Sequence, residues 1–234
     1  MDIYLDALKE GLRLIVAGQL DVITVVTTSL RVSATAVLVA LVFGVPVGYL
    51  LGIRRGFARR AVLVLANAGM GLPPVVVGLV VAMTLSRRGP LGGLELLYSR
   101  PAMVIAQVII AIPVVAAVTA AAVATVPREL RLQARSLGAS KLQEALLVVR
   151  EARMGLVAAV AAGFGAVISE VGAVLMVGGN LEGETRVMTT AIVQYTRMGR
   201  YGSALALGIV LMAIVVVVNI SLTGLQTSAE RWER

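Results

Sequence analysis

Five stretches of this chain run for more than about 18 residues with no charge or almost none, the length at which a helix begins to span the hydrocarbon of a bilayer. They occupy residues 32–53, 61–86, 101–127, 154–176 and 201–226, and only the fourth carries a charge, at Glu170. In lipid an isolated strand would leave its backbone donors and acceptors unpaired, so each run predicts a helix. The expected fold class is an all-α integral membrane protein of five transmembrane helices, approximately 28–53, 61–86, 101–126, 150–176 and 203–226, forming one domain over residues 1–234. Residues 127–149 are then an extramembrane loop.

The remaining composition restricts function. A mean hydropathy of +0.94 with 15% charged residues is too apolar for a soluble domain of 234 residues to bury in one core. The net charge of +8 is almost entirely arginine, since Lys9 and Lys141 are the only lysines. These charges sit in short clusters between the apolar runs, where basic residues orient spans and meet anionic headgroups, so no nucleic-acid partner is expected. The chain has neither cysteine nor histidine, which excludes disulfides, thiolate chemistry and the usual transition-metal ligands. No metal site is expected.

Ahead of the first run, Leu5, Leu8, Leu12 and Ile15 recur at helical spacing with charges between them, which predicts an amphipathic helix on the membrane surface. The first ten residues lack a basic n-region, so the first span is expected to direct insertion. Basic residues crowd into 54–60, with four, and 128–153, with six, against three each in 87–100 and 178–200. The positive-inside bias therefore puts the N-terminus outside and the C-terminus in the cytoplasm. Gly44, Gly48 and Gly52 lie at four-residue spacing and predict close approach of a neighbouring helix. Pro46, Pro73-Pro74 and Pro113 each remove a backbone donor and are candidate kinks.

The loop between the third and fourth runs is patterned. Pro127 suits a helix start, Leu130, Ala134 and Leu137 form an apolar stripe beside Arg131 and Arg135, and Gly138 ends it. Periodicity alone allows either a helix resting among headgroups or a docking element. The sequence Ala134-x-x-x-Gly138-Ala139-Ser140 resembles the signature loop of ABC importer permeases, in which a short coupling helix seats in the ATPase subunit. The general pattern has an acid where Leu132 stands, and Ile-x-Leu-Pro where this chain reads Val148-Val149-Arg150-Glu151.

A wider resemblance covers most of the chain. The stretches 70–79 (Met-Gly-Leu-Pro-Pro-Val-Val-Val-Gly-Leu), 150–153 (Arg-Glu-Ala-Arg), 168–180 (Ile-Ser-Glu-Val-Gly-Ala-Val-Leu-Met-Val-Gly-Gly-Asn) and 185–192 (Thr-Arg-Val-Met-Thr-Thr-Ala-Ile) are similar to tungstate-type oxyanion permeases of that superfamily. Molybdate permeases tend to carry Gly-Glu-Phe-Gly-Ala where this chain has Ser169-Glu170-Val171-Gly172-Ala173. The resemblance implies a type I ABC importer permease in a prokaryotic cytoplasmic membrane, paired with a second copy of itself. It also implies a cytoplasmic ABC ATPase dimer and an extracytoplasmic oxyanion-binding protein as partners, with molybdate or sulfate as alternative cargo. Leu130, Arg131, Ala134, Arg135, Leu137, Gly138, Ala139 and Ser140 become candidate ATPase-coupling residues. Gly178, Gly179, Asn180, Thr185, Met188, Thr189 and Thr190 become candidates for the pathway or external gate. The threonines would offer hydroxyl donors and Met188 an apolar constriction.

Glu170 is the one acid within a span, and a carboxylate exposed to an anion path would repel the cargo. Its depth matches that of Arg31 at the start of the first run, so the two are expected to form a structural ion pair. The chain contains no Gly-x-x-x-x-Gly-Lys-Ser/Thr phosphate loop and no catalytic constellation. It is therefore expected to be a non-catalytic subunit binding no cofactor, with ATP and Mg on the partner ATPase. The rival classes are a secondary transporter or channel, for which internal repeats and intramembrane ionisable relays are the usual marks, and a membrane scaffold.

Overall fold

The computed structural model describes residues 20–53 and 56–231, together with Leu5, Asp6, Lys9, Gly11 and Arg13. Its elements are α1 (Leu20–Ile53), α2 (Phe57–Met70), α3 (Pro74–Leu85), a short 3₁₀ turn (Gly92–Leu94), α4 (Arg100–Ala124), α5 (Arg128–Ser136), α6 (Lys141–Glu151), α7 (Arg153–Ile168), α8 (Gly172–Gly178), α9 (Met188–Arg197) and α10 (Tyr201–Arg231). Among the described residues α1, α4 and α10 are each long and apolar enough to cross a membrane as a single rod, and two bent helix pairs bring the total to as many as five spans.

Helix α4 is the centre of the molecule. It contributes Met103 and Ala106 to one buried cluster, Ala111 and Val115 to a second, and Val123 to a third, so every packed layer touches it. Its closest partner is α1, and the glycine spacing explains why. A Cβ on Gly44 would lie 2.8 Å from Val115 Cγ1, one on Gly48 2.6 Å from the Ala116 carbonyl oxygen, and one on Gly52 2.5 Å from Val123 Cβ. The three glycines are the floor on which α4 rests. Pro46 and Pro113 both sit inside unbroken helices. The Pro113 ring is accommodated because α2 presents Gly69 to it, where a Cβ would come within 2.7 Å.

The second run does not form one straight span. It is split at Gly71-Leu72-Pro73 into α2 and α3, which meet at 94°. Pro73 and Pro74 remove two consecutive donors, and a residue preceding proline is steered away from helical angles. Val76 and Val77 both donate to the Pro73 carbonyl, at 2.9 and 3.3 Å, which starts the new helix at once. With 14 and 12 residues, neither half reaches across about 30 Å of hydrocarbon alone.

The fourth run is divided as well, into α7 and α8 with a 59° bend at Ser169-Glu170-Val171. The two broken elements abut each other backbone to backbone. A Cβ on Gly78 of α3 would lie 2.6 Å from Ala173 Cα, and one on Gly172 2.5 Å from Val75 Cγ2. Residues 127–149 are also more ordered than a loop with one helix, since α6 follows α5, and the segment after α8 contains α9.

Leu8, Leu12 and Ile15 of the expected N-terminal amphipathic helix lie outside the described residues. Leu5, Asp6, Lys9, Gly11 and Arg13 are helical, and a Cβ on Gly11 would approach the Gly202 carbonyl oxygen at 3.1 Å, so this turn rests against the start of α10.

Overpacking a tight helix contact costs about 1–3 kcal/mol. Gly48→Ala is expected to lower the melting temperature of the detergent-solubilised protein by that equivalent, whereas Gly165→Ala, where a Cβ meets nothing within 4 Å, leaves it unchanged or raises it.

Candidate functional site

Helices α5 and α6 form a two-helix element at one end of the bundle, and its shape follows from three local devices. The first closes α5. The Gly138 N–H donates to the Arg135 carbonyl and the Ala139 N–H to the Ala134 carbonyl, both at 3.0 Å, with Gly138 at φ +85°. These are the paired bonds of a Schellman stop, which requires a left-handed residue at this position. Nothing lies within 4 Å of a Cβ built on Gly138, so the glycine serves backbone angle, not space. The second device opens α6. Ser140 Oγ accepts from the Gln143 N–H while Gln143 Oε1 accepts from the Ser140 N–H, a reciprocal capping box.

The third device fixes the angle between the helices. Arg131 Nε donates to Glu144 Oε1 at 2.8 Å and Arg135 Nε donates to Glu144 Oε2 at 2.6 Å. One carboxylate thus holds two successive turns of α5. Glu144 is buried, and the hydrogen bond from Arg135, followed by that from Arg131, holds its carboxyl pKa below the ordinary carboxylate value against the opposing effect of burial. Leu132, where the general signature has an acid, is exposed, and the carboxylate of this element comes instead from α6. Glu144 was not among the candidates drawn from the sequence. The signal available was Arg131 and Arg135 one helical turn apart, followed by a single acid just past a capping box.

Val148 anchors the element. It is fully buried beside Val123 and Ala152, with Tyr49 and Ile53 of α1 packed around it. Leu130, Ala134 and Ala139 are half-buried, while Leu137 at 88% and Leu142 at 70% are the most exposed apolar side chains on the two helices. Ser140 is exposed and committed to its cap. An open cleft of about 660 Å³ lies between this element and the ends of α1 and α4, lined by Gly52, Arg128, Arg131, Arg135 and Glu144 among others.

The gate candidates cluster at the other end of the bundle, where they are fasteners. Thr185 Oγ donates to the Gly178 carbonyl at 2.5 Å and accepts from the Leu181 N–H at 2.9 Å. Thr189 Oγ donates to the Glu170 carbonyl at 2.7 Å, and Thr190 Oγ donates to the Val187 carbonyl at 3.1 Å. A hydroxyl has one proton to give, so none of the three has a donor left for an anion in this conformation. Met188 is fully buried in the core, with its N–H on Ser29 Oγ of α1 at 2.8 Å, and forms no constriction here. Gly178 ends α8, and Gly179 at φ +68° lets the Tyr98 ring approach to 2.8 Å of where a Cβ would stand. Asn180, also left-handed, donates from Nδ2 to Gln194 Oε1 at 2.7 Å.

The expected pair of Glu170 with Arg31 is not formed. Glu170 Oε1 accepts the Ala173 N–H at 3.0 Å and caps α8, and no ion pair among the described residues joins it to Arg31. Arg31 is exposed and lines a shallow apolar recess with Arg100. The physical reason is the bend. A helix that stops at Ile168 and restarts at Gly172 frees backbone donors inside the bundle, and the nearest carboxylate takes one of them. Gln107 Nε2 of α4 closes the other side by donating to the Val167 carbonyl at 3.0 Å.

The architecture is that of a type I ABC importer permease. The fold matches the MetNI methionine ABC transporter in an inward-facing conformation with a TM-score of 0.73 at 18% identity, covering 89% of this chain and 95% of that one. The sequence matches the family described as binding-protein-dependent transport system inner membrane component over residues 44–231, and the chain belongs to that family of transport permeases. It is 44% identical over 202 residues to a probable anion ABC transporter permease protein of Haloferax volcanii, covering 84% of this chain and 87% of that protein. It is 38% identical over 226 residues to the tungstate uptake system permease protein TupB of Peptoclostridium acidaminophilum, covering 97% and 99%. The molybdenum transport system permease protein ModB of Azotobacter vinelandii is more distant, at 28% over 81% of this chain and 88% of its own.

Because the folded-state pKa of Glu144 is depressed, the clamp contributes fully above the ordinary carboxylate value of about 4.5 and is lost as pH falls through the lower folded value. Amide exchange in α5 is expected to stay slow down to that lower pH and then accelerate. Glu144→Gln should exchange several-fold faster at neutral pH and lack the acid transition. Equal protection in the two proteins at pH 7 would contradict the clamp.

Proposed function

We propose that this chain is the membrane-spanning permease subunit of a tungstate importer. The observation that carries the cargo is its near full-length similarity to a tungstate uptake permease, at 38% identity over 97% of the chain. In this reading two copies pair to form the pore, because one chain supplies only half of a two-fold path. A binding protein delivers the oxyanion at the α8–α9 end, so the N-terminus is outside and the C-terminus is cytoplasmic. Two ATPase subunits carrying ATP and Mg dock on the α5–α6 elements.

The docking surface is formed by Leu137 and Leu142, which stand exposed on either side of the Gly138 turn. Exposed leucines at the tip of an element that the Glu144 clamp holds rigid suit a protein groove better than water. Arg131 and Arg135 have a positioning role through Glu144, and Gly138, Ala139 and Ser140 set the turn. Nucleotide closure then moves α5–α6 as a unit, and the buried Val148 passes that movement to the ends of α1 and α4.

Reconstituted with its ATPase and binding protein, the permease should give ATP hydrolysis that rises with tungstate-loaded binding protein and less with molybdate or sulfate. A folded complex unresponsive to all three oxyanions would overturn the cargo assignment. Leu137→Glu should abolish co-purification of the ATPase, and Gly138→Val, which strains a left-handed residue by about 1–2 kcal/mol, should leave docking but uncouple hydrolysis from uptake. Normal coupling in both variants would remove the docking role.

A further inference from the structure

After α8 the chain folds into a tight loop in which the N–H groups of Glu184, Thr185 and Arg186 all reach the Leu181 carbonyl, at 3.3, 3.0 and 2.9 Å. This loop carries Arg186 inward. Its side chain is only 9% exposed, yet among the described residues its ion pair is a 3.4 Å contact from Nη1 to Glu182, whose own side chain is 70% exposed. Its Nε has no hydrogen-bond partner among the described residues. A guanidinium has five donors and no acceptor, and burying it with a donor unpaired is costly.

Arg186 lines a recess of about 150 Å³ together with Glu182, Gln194, Tyr195, Arg200 and Ser203. The Arg200 guanidinium is held 5.1 Å from the centroid of the Tyr195 ring. The Gln194 carbonyl is occupied by Asn180 Nδ2, so the group that Gln194 offers to the recess is its NH₂ donor. Two arginines, an amide donor and a hydroxyl face a single carboxylate, which is mostly in solvent. Met198, Ala206 and Leu207 form an apolar wall, while the polar side is positive and rich in donors, unsuited to a cation. The volume is well below the ~300–1,000 Å³ that encloses a drug-sized molecule, and it suits an ion of a few heavy atoms. Val22 and Val25 also border the recess, and the 28 residues from Val25 to Ile53 place it about 40 Å along α1 from the coupling element.

We infer that this recess is a binding site for a small tetrahedral oxyanion, with Arg186 as its buried anchor. The anion supplies the acceptor that Nε lacks and displaces the loosely held Glu182 carboxylate. The inference rests on the import reading for its natural occupant, tungstate, and on the geometry alone for the class of anion.

The test is equilibrium dialysis of the permease–ATPase complex in lipid nanodiscs, without binding protein, against tungstate, sulfate and phosphate. The wild type should bind at least one of these saturably, with one site per permease chain. Arg186→Gln should weaken binding roughly tenfold or more, the loss of one charge-assisted contact. Ser203→Leu, which fills the recess from α10 and leaves Arg186 intact, should do the same with an unchanged melting temperature, and decides the matter if Arg186→Gln fails to fold. Absence of saturable binding of all three anions, or full-strength binding in Ser203→Leu, overturns the site. Sulfate or phosphate bound as well as tungstate, and lost in the variants, upholds the recess while removing tungstate as its natural occupant. Tungstate-dependent hydrolysis by the full transporter with no binding here upholds the import reading and removes the recess.

Discussion

Every backbone donor and acceptor that this chain places in hydrocarbon must find a partner within the protein, and the bundle is arranged around the two places where its helices fail to supply one. At Gly71-Leu72-Pro73 the prolines abolish donors, and the chain restarts from the Pro73 carbonyl. At Ser169-Glu170-Val171 side chains do the work: Gln107 takes the Val167 carbonyl, Glu170 takes the Ala173 N–H, and Thr189 takes the Glu170 carbonyl. These stitches come from α4, from the break itself and from α9, so the second bend is tied to the helices around it. The half-helices then pack through Gly78 and Ala173, where no larger side chain fits.

The same need for partners shapes the extramembrane element. A helix stop, a helix start and one buried carboxylate between two arginines turn α5 and α6 into a single rigid piece. Val148 fixes that piece to α1 and α4. Its tip carries leucines that the chain leaves uncovered. A rigid handle seated on the central helices is what a transporter driven from outside the membrane requires, and it explains why the family signature is a glycine turn rather than a set of reactive groups.

The uncharged runs and the glycine stripe make the all-helical membrane fold and a close helix contact on α1 legible in the sequence, because length, hydropathy and four-residue spacing are local properties, but that the partner is α4 is a property of the fold. The Ala134-to-Ser140 turn was equally legible, since caps are written in adjacent residues. The breaks are less so: Pro73-Pro74 marks one, but the bend at Glu170 has no proline and is held by Gln107, 60 residues before the Val167 carbonyl it meets. Reading Glu170 as the partner of Arg31 matched charge to charge, whereas the folded chain uses the carboxylate as a helix cap. The gate threonines illustrate the same point. Sequence alone leaves their hydroxyls free, whereas in the fold they are occupied by carbonyls at the ends of broken or short helices. Glu144 went unnoticed because its partners sit 9 and 13 residues away, across a turn.

In the proposed importer the α5–α6 tip faces the cytoplasm and seats on an ATPase, while the Tyr98–Gly179 end faces outward. The chain has no cysteine, so single substitutions report without background. Leu137→Cys and Tyr98→Cys in the assembled transporter can each be probed with a membrane-impermeant maleimide from outside intact cells and with a thiol cross-linker in inverted vesicles. The account predicts that Cys at 137 is silent to the external reagent and cross-links to the ATPase in a nucleotide-dependent way, and that Cys at 98 labels from outside and never reaches the ATPase. External labelling at 137, or an ATPase cross-link at 98, would contradict it.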